Sequence, residues 1–204
     1  MKHLSFGVVF FTLAALGGPA HADDITPPRV PSNLQVPAGN RAFREGHAVG
    51  TQNYICLPTS TGFAWTFFGP QATLLDDDDE QIITHFLSAN PDESDTPRPT
   101  WQDSRDTSAV WGKAIASSSD PAFVASGAIP WLLLQVVGTQ SGPTGGDRVT
   151  KTTFIQRLNT SGGVAPSTGC VSSADVGKKA LIPYLANYFF YRVAQDHGGH
   201  DHGD

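Results

Sequence analysis

The chain alternates short apolar runs with clusters of Gly, Pro, Asp and Ser, and this rhythm leaves little room for helices. The alternating, β-branched run 149–158 is typical of a strand with one buried face, and the continuous apolar run 131–138 is typical of a strand buried on both faces. Further strands are predicted over 48–57, 62–68, 72–75, 81–87, 110–116 and 186–193. The pattern therefore predicts an all-β domain, a single-domain β-sandwich or barrel of about 8–10 short strands.

Two segments interrupt this rhythm. Asp76–Glu80 is a run of acids between two predicted strands. We interpret it as a charged turn in preference to a Ca²⁺ site, because a calcium cage needs about 6–8 oxygen ligands in a defined geometry. Residues 88–109 are rich in Pro and Asp and are predicted to form a long loop, a kind of segment that often carries function.

The N-terminus has the features of a secretory signal peptide. Lys2 precedes an apolar run over 4–16, and Ala20-His21-Ala22 is a small-x-small cleavage site. The apolar run is shorter than the roughly 20 residues that span a bilayer. The alternative is an uncleaved anchor. We predict a signal peptide over 1–22, an extended Pro-rich arm over 23–35, a β-rich domain over 36–193 and a disordered tail over 194–204, in an exported protein, periplasmic or extracellular.

Cys56 and Cys170 are the only cysteines. In an exported protein an even count indicates a disulfide, although two buried free thiols are the alternative.

Acidic residues outnumber basic ones by 19 to 13, which argues against nucleic acid as a partner. No later segment is long and apolar enough to span a membrane.

The C-terminal tail carries the most specific chemical signal. His197, His200 and His202 stand among Asp196 and Asp201 on a glycine-rich backbone. Neutral imidazole suits Zn, Ni and Cu(II), and a flexible chain can adapt to the geometry that the metal prefers. We expect these five residues to bind a divalent metal, while a solvated polar tail is the alternative.

A second set of candidates lies within the β domain. Trp101, Asp103 and Lys113 are predicted to approach His85 across the sheet, which would form a binding cleft for a small molecule or carbohydrate. The alternative for His85 is a packed, hydrogen-bonded core histidine. Arg157 is a further ligand-binding candidate, although pairing with a carboxylate is the commoner role for such a residue.

An ordered series of motifs runs through the domain: Tyr54–Cys56, Trp65, Gly69–Leu74, Thr84–Phe86, Trp101, Ile129–Leu133, Gln156–Pro166, Cys170 and Pro183–Tyr191. This series resembles an uncharacterised family of exported proteins from bacteria and fungi, known as domain of unknown function 3455. The resemblance covers about residues 36–192. It implies a secreted single domain and a Cys56–Cys170 pair, and it implies no activity.

The sequence favours a binding module over an enzyme. No metalloprotease, nucleophile-elbow, phosphate-loop or dinucleotide motif is present, and no motif requires a cofactor. Before the tail, only His47 and His85 are candidate bases in the domain. We therefore predict a non-catalytic binding module whose ligand is a carbohydrate or cell-surface component, with four tryptophans as stacking faces. The alternatives are a secreted hydrolase that uses His85 or carboxylates in a cleft, and a structural or matrix protein.

Overall fold

The computed structural model describes residues 25–195. Eight β-strands account for most of this part of the chain. They are β1 (Asn40–Thr59), β2 (Gly62–Leu75), β3 (Gln81–Asn90), β4 (Thr96–Asp103), β5 (Ala109–Ser118), β6 (Trp131–Gln140), β7 (Phe154–Gly162) and β8 (Lys179–Val193). Three short 3-10 helices lie at Ser32–Leu34, Pro91–Glu93 and Ser173–Asp175.

The strands form a closed barrel in which each strand pairs antiparallel with the next along the chain. Pairing of β1 with β8 closes it and leaves no sheet edge running the length of the barrel. The predicted all-β domain is thus confirmed, and of the two architectures considered it is the barrel.

The barrel interior combines small residues on β1 and β2 with aromatic residues on β8. Ala48 and Ala72 face Tyr188 and Phe190 within one buried cluster. Gly50 is required by close packing between strands, since a Cβ there would lie 2.2 Å from the Gln71 carbonyl oxygen. This alternation of small and large side chains fills an eight-stranded barrel and still leaves space for one small ligand.

A second apolar cluster lies outside the barrel, under the N-terminal segment. Leu34 is fully buried against outward-facing side chains of β6, β7 and β8, among them Leu158 and Phe189. Its carbonyl oxygen accepts a hydrogen bond of 2.6 Å from Gln156 Nε2. The described part of the arm is therefore packed against the barrel wall.

The prediction of a loop over 88–109 was wrong, because β4 lies within this segment. Pro97 and Pro99 argued against a strand, since proline cannot donate to a sheet ladder. The structure accommodates them because β4 pairs with β5 only from Thr100 to Gln102, so the prolines occupy a stretch with a single neighbour, β3. The predicted strands 62–68 and 72–75 are one strand, β2, and residues 149–153 of the predicted 149–158 strand precede β7.

Cys56 and Cys170 form the predicted disulfide. It fixes the connection between β7 and β8, residues 163–178, against the end of β1. The Gly177 N–H and the Lys178 carbonyl continue this contact through backbone hydrogen bonds to Cys56.

The acidic run forms the predicted turn between β2 and β3, with Asp76 Oδ1 accepting a 2.9 Å bond from the Glu80 N–H.

Candidate functional site

A cavity of about 230 Å³ lies inside the barrel. It is larger than the roughly 150 Å³ cavity that holds benzene in a well-studied engineered protein. All eight strands contribute to its lining, which is mostly apolar. The lining residues are Gln52, Phe67, Pro70, His85, Pro99, Trp101, Ala114, Leu132, Leu134, Arg157 and Tyr188.

The cavity has its mouth where the ladder between β4 and β5 ends. Pairing of these strands stops at Thr100 and Trp111, so Pro99 and Ala114 lie on either side of a gap. Phe67 at the same rim is 45% exposed, whereas Trp101 at the floor is 1% exposed. A small ligand can therefore enter from solvent and reach an enclosed floor.

His85 and Trp101 form the floor as a stacked pair. They are direct cross-strand partners, and their rings lie 4.3 Å apart and nearly parallel. Tyr188 meets both rings edge-on. His85 Nδ1 is 2.8 Å from the Thr100 carbonyl, which can only accept, so Nδ1 carries the proton and Nε2 is an acceptor in the neutral ring.

Burial, with a smaller contribution from the positive charge of Arg157, lowers the pKa of His85 to about 3. His85 is therefore neutral at physiological pH. A base this weak removes protons poorly near neutrality. In this site, His85 is suited to hold an aromatic surface and to accept a hydrogen bond.

Arg157 supplies the only charge among the residues that line this cavity. It lies in register between Leu132 on β6 and Tyr188 on β8, and it is 8% exposed. One guanidinium nitrogen donates a 2.9 Å bond to the Pro130 carbonyl. No carboxylate of residues 25–195 lies within 4.0 Å of it, so the expected ion pair does not form there.

Three of the residues that line the cavity each have a side-chain polar atom that is buried without a hydrogen-bond partner in the described part of the chain. These atoms are Gln52 Oε1, Trp101 Nε1 and Arg157 Nε. Buried polar groups are nearly always paired, because leaving one unpaired costs about 1–3 kcal/mol. Three of the six such atoms among residues 25–195 belong to residues around this one cavity, which favours a ligand with polar groups.

The structure brings His85, Trp101 and Arg157 together, but not Asp103 and Lys113. Asp103 is buried further along β4, where it pairs with Arg44 and caps the turn before β5. Lys113 is exposed, because the preceding Gly112 faces inward against Trp101 and successive residues of a strand alternate sides.

The other tryptophans lie away from the cavity lining. Trp111 and Trp131 are buried, and Trp65 is half-buried with its Nε1 donating to the Thr168 carbonyl. Gln52 and Tyr188 also line the cavity, and neither is among the ligand-binding residues predicted from the sequence. The resemblance motifs contained Tyr188, but without the β7–β8 register nothing placed it beside Arg157.

A second pocket, of about 420 Å³, lies at the opposite end of the barrel. Its lining is strongly charged with both signs, and its residues take part in three ion pairs: Arg44 with Asp103, His47 with Asp77, and Arg105 with Glu80. In the barrel cavity, by contrast, Arg157 has no acidic partner among residues 25–195.

The residues predicted to bind a metal at the tail lie outside the described part of the chain. They are Asp196, His197, His200, Asp201 and His202. The predicted signal peptide, 1–22, also lies outside them. Among residues 25–195 no group of three or more His, Cys, Asp or Glu is arranged to hold a metal ion. In the same range we find no helix whose length and apolar character would let it cross a bilayer.

Comparison with curated proteins and with solved structures found no match. Comparison with protein families found a match. Residues 37–192, which include the whole cavity lining, match the family described as Protein of unknown function (DUF3455). The match extends over most of the chain and agrees with the resemblance seen in the sequence motifs. The chain therefore belongs to the DUF3455 family.

Proposed function

We propose that this protein is an exported, non-catalytic binding protein that holds a small organic molecule inside its barrel. The observation that carries the proposal is the cavity beside His85, Trp101 and Arg157, whose lining residues include three that have a buried polar atom without a partner within residues 25–195. Most small-molecule sites combine apolar walls with a few fixed polar groups in this way.

The barrel suits binding because its wall is preorganised. Gly112 lets Trp101 pack closely, since a Cβ at position 112 would lie 2.8 Å from the indole ring. The stack on His85 and the hydrogen bond of His85 to the Thr100 carbonyl fix the floor further. A rigid site loses little conformational entropy when a ligand binds.

Catalysis has weaker support at this cavity. A hydrolase requires a base of suitable pKa beside a nucleophile or a second carboxylate. His85 has a pKa of about 3, and the lining contains no carboxylate. Burial also raises the pKa of Tyr188, so its phenol stays protonated.

A carbohydrate fits this cavity less well than a more apolar molecule does. Each sugar hydroxyl that loses water needs a hydrogen-bond partner. Leu132, Leu134 and Tyr188 supply mainly apolar surface, and three of the four tryptophans are buried. We therefore propose a ligand with one ring or a short apolar body.

Export and metal binding complete the proposal. A disulfide and the lack of a spanning helix within residues 25–195 are compatible with an exported protein. The histidine tail is proposed to bind a divalent metal independently of the barrel.

The binding proposal is tested by closing the mouth of the cavity. Phenol, benzamide and benzoate are titrated into the protein while tryptophan fluorescence and the melting temperature are recorded. Ala114→Trp places an indole in the mouth and is expected to abolish binding. Ile115→Trp is the matched control, because Ile115 is exposed on β5 and does not line the cavity. Binding that survives Ala114→Trp, or a wild-type protein that binds none of the three probes, would contradict the proposal.

A further inference from the structure

Arg157 is a permanent positive charge inside an apolar barrel. Its guanidinium stays protonated in proteins, so burial cannot neutralise it. A buried ion without a partner of opposite charge is strongly unfavourable. Within residues 25–195 the guanidinium donates to the neutral Pro130 carbonyl and hydrogen-bonds to the Tyr188 side chain, while the buried carboxylate of Asp103 pairs with Arg44.

The guanidinium of Arg157 suits a planar anion. Arg157 lines the cavity, and its Nε is buried without a hydrogen-bond partner in the described residues, while Nη2 donates one of its two protons to the Pro130 carbonyl. In a guanidinium, Nε and one terminal nitrogen present parallel N–H bonds whose spacing matches the two oxygens of a carboxylate. Trp101 lines the same cavity, and its Nε1 is a further buried donor without a partner in the described residues.

The remaining lining restricts the body of the ligand. His85 and Trp101 offer flat aromatic surface, and Leu132 and Leu134 offer aliphatic surface. With about 230 Å³ available, the cavity accommodates roughly one ring and a short substituent. A second charged group on the ligand would meet apolar walls without a counter-charge.

We propose that the barrel binds a small organic monocarboxylate, with the carboxylate paired to Arg157 and the apolar body packed against Trp101 and Leu134. This inference rests on the proposed function and names the chemical class of the ligand. It also gives Arg157 the acidic partner that residues 25–195 do not supply.

The test compares acids with neutral molecules of the same shape. Benzoate and benzamide, phenylacetate and phenylacetamide, and hexanoate and hexanamide are titrated calorimetrically into the full-length protein. Each acid is expected to bind at least about tenfold more tightly than its amide, since a charge-assisted pair is stronger than a neutral hydrogen bond. Arg157→Gln is expected to remove this preference, and Arg157→Lys, which keeps the charge but loses the paired donors, is expected to reduce it.

Lys113→Gln is the matched control, because Lys113 is an exposed cation on β5 outside the cavity. It should leave the acid preference unchanged. If Arg157→Gln fails to fold, Arg157→Lys carries the test, and an undiminished preference in it overturns the inference. Equal binding of acid and amide by the wild type overturns the carboxylate inference but leaves the proposed function standing. Failure of all six probes to bind overturns both.

Discussion

At the scale of single residues, the cavity floor depends on a histidine that the fold keeps uncharged. His85 is 2% exposed, and its ring has an aromatic neighbour on one face and an edge contact with Tyr188. Burial disfavours the charged form, and the nearby Arg157 disfavours it further. Acid should therefore destabilise the barrel partly through this one group.

We predict that wild type loses more stability in acid than His85→Gln does. The pKa of His85 is lowered from 6.5 to about 3 in the fold, so between these pH values the unfolded chain binds a proton that the folded protein does not. Stability is then full above pH 6.5 and falls by up to about 1.4 kcal/mol per pH unit as the pH drops toward 3. Urea unfolding at several pH values measures the difference.

His47→Gln is the matched control for this experiment. His47 is partly exposed, and its hydrogen bond to Asp77 raises its pKa, so its contribution has the opposite sign: it is present below pH 6.5 and is lost as the pH rises through the folded pKa. His47→Gln should therefore still lose stability in acid through protonation of His85, as wild type does. Parallel stability curves for wild type and His85→Gln would contradict the prediction.

Sequence reasoning identified three residues of the candidate site but not how they are used. The alternation of strand residues was enough to bring Trp101 to His85. It misplaced Lys113, because the inward position on β5 belongs to Gly112, and a glycine gives no hydrophobic signal. The sequence also favoured a carboxylate partner for Arg157, because most buried arginines are paired with an acid. Nothing in the sequence marks Arg157 as an exception to this rule.

At the scale of elements, the strand that sequence reasoning missed creates the mouth of the cavity. Composition predicted a loop over 88–109, because prolines interrupt a ladder. The same prolines allow β4 to separate from β5 above Thr100, which leaves Pro99 and Ala114 facing each other across the opening. A strand such as β4, which is fully paired with one neighbour and only partly paired with the other, cannot be inferred from residue propensities. Its pairing depends on the register of both neighbouring strands.

The N-terminal arm is predicted to stabilise the barrel without contributing to the cavity. Leu34→Ala removes a fully buried side chain from the outer cluster and should lower the free energy of unfolding by about 2–5 kcal/mol. Leu181→Ala is the matched control: Leu181 is 54% exposed, and its loss should change stability by about 0.5 kcal/mol or less. Denaturant unfolding gives both values. Equal effects would show that the arm packing is not stabilising.

The disulfide is predicted to stabilise the fold and to secure the β7–β8 connection. Its cysteines are 114 residues apart, so opening it returns a long loop to the unfolded chain and should cost about 4–5 kcal/mol in the chain-entropy account. The variant with both Cys56→Ala and Cys170→Ala should unfold at lower urea and be cleaved by trypsin after Lys178. Reductant should have this effect on wild type and none on the double variant. Unchanged trypsin resistance would mean that backbone contacts alone hold the connection.

At the scale of the whole molecule, the barrel and the tail are predicted to be independent binding units. Among residues 25–195 no cluster of three metal-ligating side chains occurs, whereas His197, His200 and His202 lie in a nine-residue stretch rich in Asp and Gly. Titration with Zn²⁺ should show about micromolar binding to the full-length protein, because ordering a free chain offsets part of the metal–ligand energy. A protein that ends at Val193, and one with the three histidines changed to Asn, should show none.

Independence has two measurable consequences in the same proteins. Neutral imidazole is the ligand, so metal binding should weaken as the pH falls below about 6.5. The aromatic probes should bind equally well with or without the tail, since all residues that line the barrel cavity precede Val193. Metal retained by the protein that ends at Val193 would place a site in the barrel and contradict this division. Loss of probe binding on removal of the tail would instead make the tail part of the barrel site.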